Sequence, residues 1–182
     1  ESKLMVERAI HWYGQAYGLR WAALRYFNAA GADPDGELGE AHDPESHLIP
    51  LVIDAALGRR PHVEVFGTDY PTPDGTCIRD YVDVTDLAEA HVLAMQSLTS
   101  GDESVALNLG TGRGHSVREV IAAVERVSKR KVPFRDSPRR EGDPAVLVAD
   151  PARAAKTLGW KPQHSELDSI IEGAWKWATR KT

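Results

Sequence analysis

The sequence predicts an α/β fold built on an open, mostly parallel sheet, and three observations carry that prediction. A helix-like segment at residues 4–17 is followed by a strand-like run, Trp21–Phe27, and then by the small residues Ala29, Ala30 and Gly31. Helix, strand and small-residue loop in that order is the rhythm of such sheets. Cys77–Val82 is a second strand-like run that feeds a helix carrying Val84, Leu87, Ala88, Val92, Met95 and Leu98 at i, i+3, i+4 spacing. Val105–Leu109 then repeats the pattern, leading through a glycine-rich turn into another helix.

The totals narrow the function classes. The chain has 182 residues, enough for one substantial domain. Lys and Arg number 22 against 27 Asp and Glu, a net charge of −5, and no block of like charge reads as a nucleic-acid arm. Cys77 is the single cysteine, which excludes a disulfide framework and makes a reducing compartment the default. There is no apolar run of about 18 residues and no basic-then-apolar leader, so a soluble cytoplasmic protein without membrane or nucleic-acid partners is expected.

Taken in order, residues 4–17 place Met5, Ala9, Trp12, Tyr13, Ala16 and Tyr17 on one face, with Gly18 where a left-handed cap belongs. Asn28 stands at the C-terminal end of the first strand, where open sheets bind ligands; on spacing alone its commoner role, closing a turn, is preferred. Residues 33–46 form a polar loop with Pro34, Gly36, Gly39 and Pro44. His42, Asp43, Glu45 and His47 there lack the helix-borne spacing of a zinc motif and read as a solvated acidic loop, so no metal is expected. Leu48–Leu57 reads as a helix with Pro50 in its first turn, and Val63–Phe66 as a strand. The turn-rich segment 67–76 holds Tyr70 between two possible cleft walls.

At the junction after Cys77–Val82, Arg79 lies near a helix start, where a guanidinium and orphan N–H groups together suit an anion. Asp83 caps that helix and Asp86 suits its first turn. After Val105–Leu109, the turn Gly110-Thr111-Gly112-Arg113-Gly114 resembles a dinucleotide-binding loop. It fails the test: His115 stands where the third glycine belongs, and residues 129–131 are Lys-Arg-Lys rather than acidic. Tight strand-to-helix packing is the preferred role. Ser116 and Glu119 form a capping box, Val132–Arg135 reads as a strand, and Pro151–Leu158 and Ser165–Thr179 as the last helices. Arg139 and Arg140 beside Glu141 and Asp143 are either an ion-paired turn or a fork for phosphate or ribose. Arg79, Arg140 and Asn28 together suit a diphosphate-bearing ligand, and no G-x-S-x-G elbow or H-E-x-x-H pair offers hydrolytic chemistry.

Six segments carry a more specific signal: Leu24–Asn28, His47–Pro50, Val65–Thr72, Asp74–Tyr81, Asn108–Gly110 and Arg139–Asp143. In that order they resemble the C-terminal part of UDP-glucose 4-epimerases, members of the extended short-chain dehydrogenase family. The resemblance covers essentially the whole chain. It implies a partial Rossmann-type architecture, with residues 1–30 a remnant of the NAD-binding domain and 31–182 the UDP-sugar-binding part, and with 84–110 returning to the main sheet. It also implies that Asn28 and Arg79 contact the diphosphate of UDP-glucose or UDP-galactose. His47, Leu48 and the Glu64–Phe66 strand would border the uridine, Tyr70 would lie near the base, and Arg140 with Asp143 would hold phosphate and ribose.

Family members bind NAD and oxidise C4 of the hexose with a Tyr-x-x-x-Lys pair, returning the hydride to the other face of a 4-keto intermediate. Lys3 matches that lysine, a catalytic and cofactor-binding position whose cation lowers the tyrosine pKa. The matching tyrosine would precede Glu1, as would the glycine fingerprint, so a longer parent enzyme is expected and this chain is expected to be inactive alone. Leu147 matches a position where a bulky tyrosine excludes N-acetylated sugars. The first helix resembles one that builds a homodimer interface. The alternatives are a nucleotide-sugar dehydratase or decarboxylase of the same family, or a stand-alone nucleotide-sugar binding module.

Overall fold

A computed structural model describes residues 1–180. Helix α1 (Ser2–Tyr17) ends at Gly18 in the left-handed region, φ 68°, as periodicity and the glycine predict. Its apolar face is exposed: Trp12 and Tyr17 are 67% and 78% exposed, and no residue of α1 is buried. Periodicity makes a helix amphipathic, but burial requires a partner, and the described residues supply none for this face. A two-pronged bond from Arg25 Nε and Nη2 to Glu7 Oε1 and Oε2, at 2.7 and 2.5 Å, ties α1 to strand β1 (Ala22–Tyr26).

The small residues after β1 form a strand rather than a loop. β2 (Asn28–Ala30) pairs in parallel with residues 81–83, Asn28 opposite Tyr81. The turn role preferred for Asn28 is therefore corrected: it opens a strand, because its N–H has a partner, the carbonyl of Asp80 at 3.0 Å. After the 33–46 loop come α2 (Leu48–Ala56), with Pro50 in its first turn, and β3 (Val63–Phe66).

The expected continuous strand at 77–82 is split. β4 (Ile78–Arg79) and β5 (Tyr81–Asp83) belong to different sheets, and Asp80 stands between them. The physical reason lies in the backbone of Asp80: its N–H donates to Leu147 O while its C=O accepts from Asn28 N. One residue thus changes the strand's partners. α3 (Val84–Ser100) follows, capped by Asp83 through Thr85 N at 2.8 Å. β6 (Val105–Leu109) pairs in parallel with β1, Ala22 opposite Val105 and Tyr26 opposite Leu109, so residues 84–110 return to the first strand.

β7 (His115–Ser116) runs antiparallel to β4 and leads into α4 (Val117–Ser128), whose Ser116–Glu119 capping box is complete. β8 (Phe134–Ser137) pairs with β3 and begins two residues later than expected. Val132 enters the core and Pro133 has no N–H to pair, although its carbonyl accepts from Val63 N. β9 (Val146–Leu147) lies beside β4, followed by α5 (Ala152–Leu158) and α6 (Leu167–Thr179).

Two apolar clusters result. The larger joins α2, α4, α6 and β3 through residues such as Ile53, Val65, Val124 and Ile171; the smaller joins α3, β6 and α5 around Leu107, Leu109 and Trp160. Asp86 does more than complement the dipole of α3. It is fully buried and accepts from Gln163 N, His164 N and Ser165 Oγ, while Trp160 Nε1 donates to its carbonyl. No described helix is long and apolar enough to cross a membrane.

Candidate functional site

A cleft of about 800 Å³ opens where β2, β4, β5, α2 and the end of β3 meet. Its wall includes Asn28, His47, Leu48, Glu64, Phe66, Arg79, Arg140 and Asp143, residues drawn from five segments of the chain. Each arrives by a local rule. Asn28 opens β2, His47 is the N-cap residue of α2, Phe66 ends β3 and Arg79 ends β4.

The polar centre is a triad of charges. Arg79, whose side chain is only 12% exposed, donates from Nη1 to Ile78 O at 2.7 Å and from Nη2 to Asp143 Oδ1 at 2.6 Å. Arg140 Nη2 approaches Asp143 Oδ2 at 3.5 Å, and its guanidinium lies over the Phe66 ring, 4.7 Å from the centroid. Asp143 Oδ2 is buried and has no hydrogen-bond partner. The carboxylate is thus ion-paired with both guanidinia, closely with Arg79 and more loosely with Arg140.

Arg79 does not form the anion site expected at a helix start. β5 separates it from α3, whose first turn is already occupied by the carboxylates of Asp83 and Asp86. Its guanidinium is held by Ile78 O and Asp143, and the neighbouring Asp80 anchors the backbone. The Asp80 carboxylate is fully buried and accepts from Thr111 N, Thr111 Oγ1, Gly112 N and Ala149 N at 2.8–3.2 Å. This explains the glycine-rich turn. A Cβ on Gly110 would stand 2.5 Å from Ala149 Cβ and 2.7 Å from Asp80 Oδ2, so the turn is a close-packed cradle for a carboxylate.

Tyr81 also lines the cleft. Burial pushes its phenol well above the usual range, so it is a neutral hydroxyl rather than a base. Cys77 lines the cleft too; burial raises its thiol pKa, which leaves it inert.

Three expected site residues lie elsewhere. Tyr70 is buried beneath Arg139, whose guanidinium stacks 4.2 Å from the ring centroid, and it is not part of the cleft wall. The reason is Gly67, φ 81°, which turns the chain so tightly that the ring packs against its backbone. Leu147 is 46% exposed on β9, paired with Arg79 in register but not in the wall. Lys3 lies on exposed α1, outside the cleft.

Glu64 is committed to its own strand pair. Ser137 Oγ, Arg135 Nη2 and His62 Nε2 all contact it, and these hydrogen bonds pull its pKa down from 4.5 to about 2. At one end of the cleft the loop places Glu40, His42, Glu45 and His47 together, whereas Asp43 stays outside that group. Burial raises the Glu45 pKa, but the amides of His47 and Ser46 and the His47 ring outweigh it and hold the carboxyl low.

A strand that switches partners beside a polar cleft is the arrangement in which open α/β sheets bind ligands. A sequence model of the NAD dependent epimerase/dehydratase family matches residues 1–110, and the chain belongs to this family. It is similar to the UDP-glucose 4-epimerase of Halalkalibacterium halodurans, 51% identical over 97% of this chain and 53% of that protein. Among solved structures, the UDP-glucose 4-epimerase of Brucella ovis in complex with NAD is 56% identical with a TM-score of 0.92, covering 94% of this chain and 53% of the other. The Bifidobacterium longum enzyme in complex with NAD+ and UDP is 40% identical with a TM-score of 0.90, covering 98% and 53%. The chain thus spans about half the length of the relatives it matches. The glycine-rich turn at residues 110–114 is filled by Asp80 and Ala149.

A carboxylate whose pKa is lowered on folding contributes stability above its unfolded value and loses it as pH falls through the folded value. Acid unfolding should therefore show a loss of stability between pH 4.5 and about 2 that is smaller in Glu64→Gln. Identical acid profiles for the two proteins would contradict the assignment.

Proposed function

We propose that this chain supplies the UDP-hexose site of an NAD-dependent UDP-glucose 4-epimerase acting on UDP-glucose and UDP-galactose. The observation that carries the reading is the convergence of Arg79 and Arg140 on Asp143 in the cleft wall. In this reading Arg79 and Asn28 meet the diphosphate, and Arg140 and Asp143 hold phosphate and ribose. His47, Leu48 and the end of β3 border the uridine. A guanidinium already fixed by one carboxylate keeps its remaining N–H groups aimed, which lowers the entropy lost on binding phosphate.

The remaining roles belong to a longer parent enzyme. Residues 1–30 join its NAD-binding domain and 31–182 form the UDP-sugar part, with the β1–β6 pairing as the seam. Lys3 sits there beside a tyrosine four residues upstream, holding the phenol's pKa low enough for it to accept a proton. The exposed apolar face of α1, with Met5 66% and Tyr13 59% exposed, supports a homodimer. A single, reduced cysteine fits a cytoplasmic setting.

Calorimetry on the 182-residue chain should show UDP binding with a Kd between roughly 10 μM and 1 mM and no heat with NAD. Arg79→Lys keeps the charge but loses the fork, and should weaken UDP binding about tenfold, some 1.4 kcal/mol. Undiminished binding in that variant, or equal binding of NAD, would sink the reading. Because Leu147 adjoins Arg79, Leu147→Tyr should lower affinity for UDP-N-acetylhexosamines while leaving UDP-hexoses unchanged; a parallel loss for both sugars argues against a selective role. With its general base outside the sequence, the chain alone should not turn over UDP-galactose, and measurable epimerisation by the purified chain would refute the division of labour.

A further inference from the structure

The loop between β2 and α2 gathers two histidines and two glutamates that the UDP reading does not use as a group. His47 Nδ1 lies 2.5 Å from Glu40 Oε1 and 2.9 Å from Glu45 Oε1. His42 Nδ1 lies 3.1 Å from the same Glu40 oxygen and 4.0 Å from Glu45 Oε2. One ligand atom from each residue falls within 4.8 Å of all the others. Four ligands around a tetrahedral ion with bonds of about 2.0–2.1 Å stand roughly 3.3 Å apart, which is the middle of this range.

We infer that Glu40, His42, Glu45 and His47 form a binding site for a divalent transition-metal ion of the zinc class. This revises the sequence reading of a merely solvated loop. Glu40, which closes the set, lies outside the stretch that reading weighed.

Charge argues for the ion. With both imidazoles neutral the group carries two negative charges, and among the described residues the ion pairs of Glu40 and Glu45 are with histidines alone. A divalent cation balances them without a lysine or arginine. The choice of metal follows from the donors: two imidazole nitrogens favour zinc, cobalt, nickel or copper over the oxygen-seeking calcium and magnesium.

The site is also held in place. Trp177 Nε1 on α6 donates to Glu40 O at 2.8 Å, and the Trp177 ring leaves no room for a Cβ at Gly39. At the other end His47 is the N-cap residue of α2. Glu45 Oε1 accepts from Ser46 N and His47 N, so the backbone orients that carboxylate and leaves Oε2 free to coordinate. Both imidazoles are at least half exposed at the cleft end, which gives an ion a way in.

The test is a zinc titration of the tag-free 182-residue chain against a chromogenic chelator. One zinc ion should bind per chain with a Kd of roughly 1 μM or below, undiminished by excess magnesium or calcium. Loss of an outer partner of a metal ligand already costs 10–100-fold, so His42→Gln and Glu40→Gln should each weaken binding at least about tenfold. His42 is exposed, so its variant keeps the fold, which circular dichroism verifies; His11→Gln on α1 is the control and should bind as the parent does. Absence of binding, or binding that survives both substitutions or falls equally in the His11 variant, overturns the site. No nucleotide takes part, so failure here leaves the UDP reading standing.

Discussion

One buried carboxylate holds the two halves of this chain together. Asp80 sends its N–H to one sheet and its C=O to another, while its side chain accepts from the glycine-rich turn and from Ala149. A buried charge is stable only when its lone pairs are filled, and here backbone amides and one hydroxyl fill them. Because β4, β5, β7 and β9 all meet within a residue or two of Asp80, the placement of Arg79 in the cleft is a consequence of that arrangement rather than of its own contacts alone.

Much of the architecture was legible because local rules were undisturbed. The capping box at Ser116, the cap at Gly18 and the helices α3, α4 and α6 depend on neighbours in sequence, and these features are present. What was not legible depends on distant partners. Nothing local says that Asn28 pairs with Tyr81, that residue 80 changes sheets, or that Pro133 delays β8 by two residues. The apolar stripe of α1 gave the helix, but a pattern cannot name what covers it.

The candidate site divides in the same way. Asn28, Arg79, Arg140 and Asp143, far apart in the chain, line one cleft. Tyr81 and Asp80 carry more of the cleft than a motif containing them could show, for one acts through burial and the other through hydrogen bonds to residues more than 30 positions away. Tyr70 misled because an aromatic residue in a glycine-rich loop looks exposed until a neighbouring arginine is seen to cover it.

The long separations have a kinetic meaning. Arg79 and Asp143 are 64 positions apart, Glu64 and Arg135 are 71, and Trp21 meets Ser104 across 83. Pairing of this kind must close large loops before any contact repays the lost chain entropy, which slows folding. During synthesis the fork at Arg79 has no carboxylate to grip until the ribosome has passed Asp143. The helices can form early, but the cleft is among the last parts of the molecule to exist.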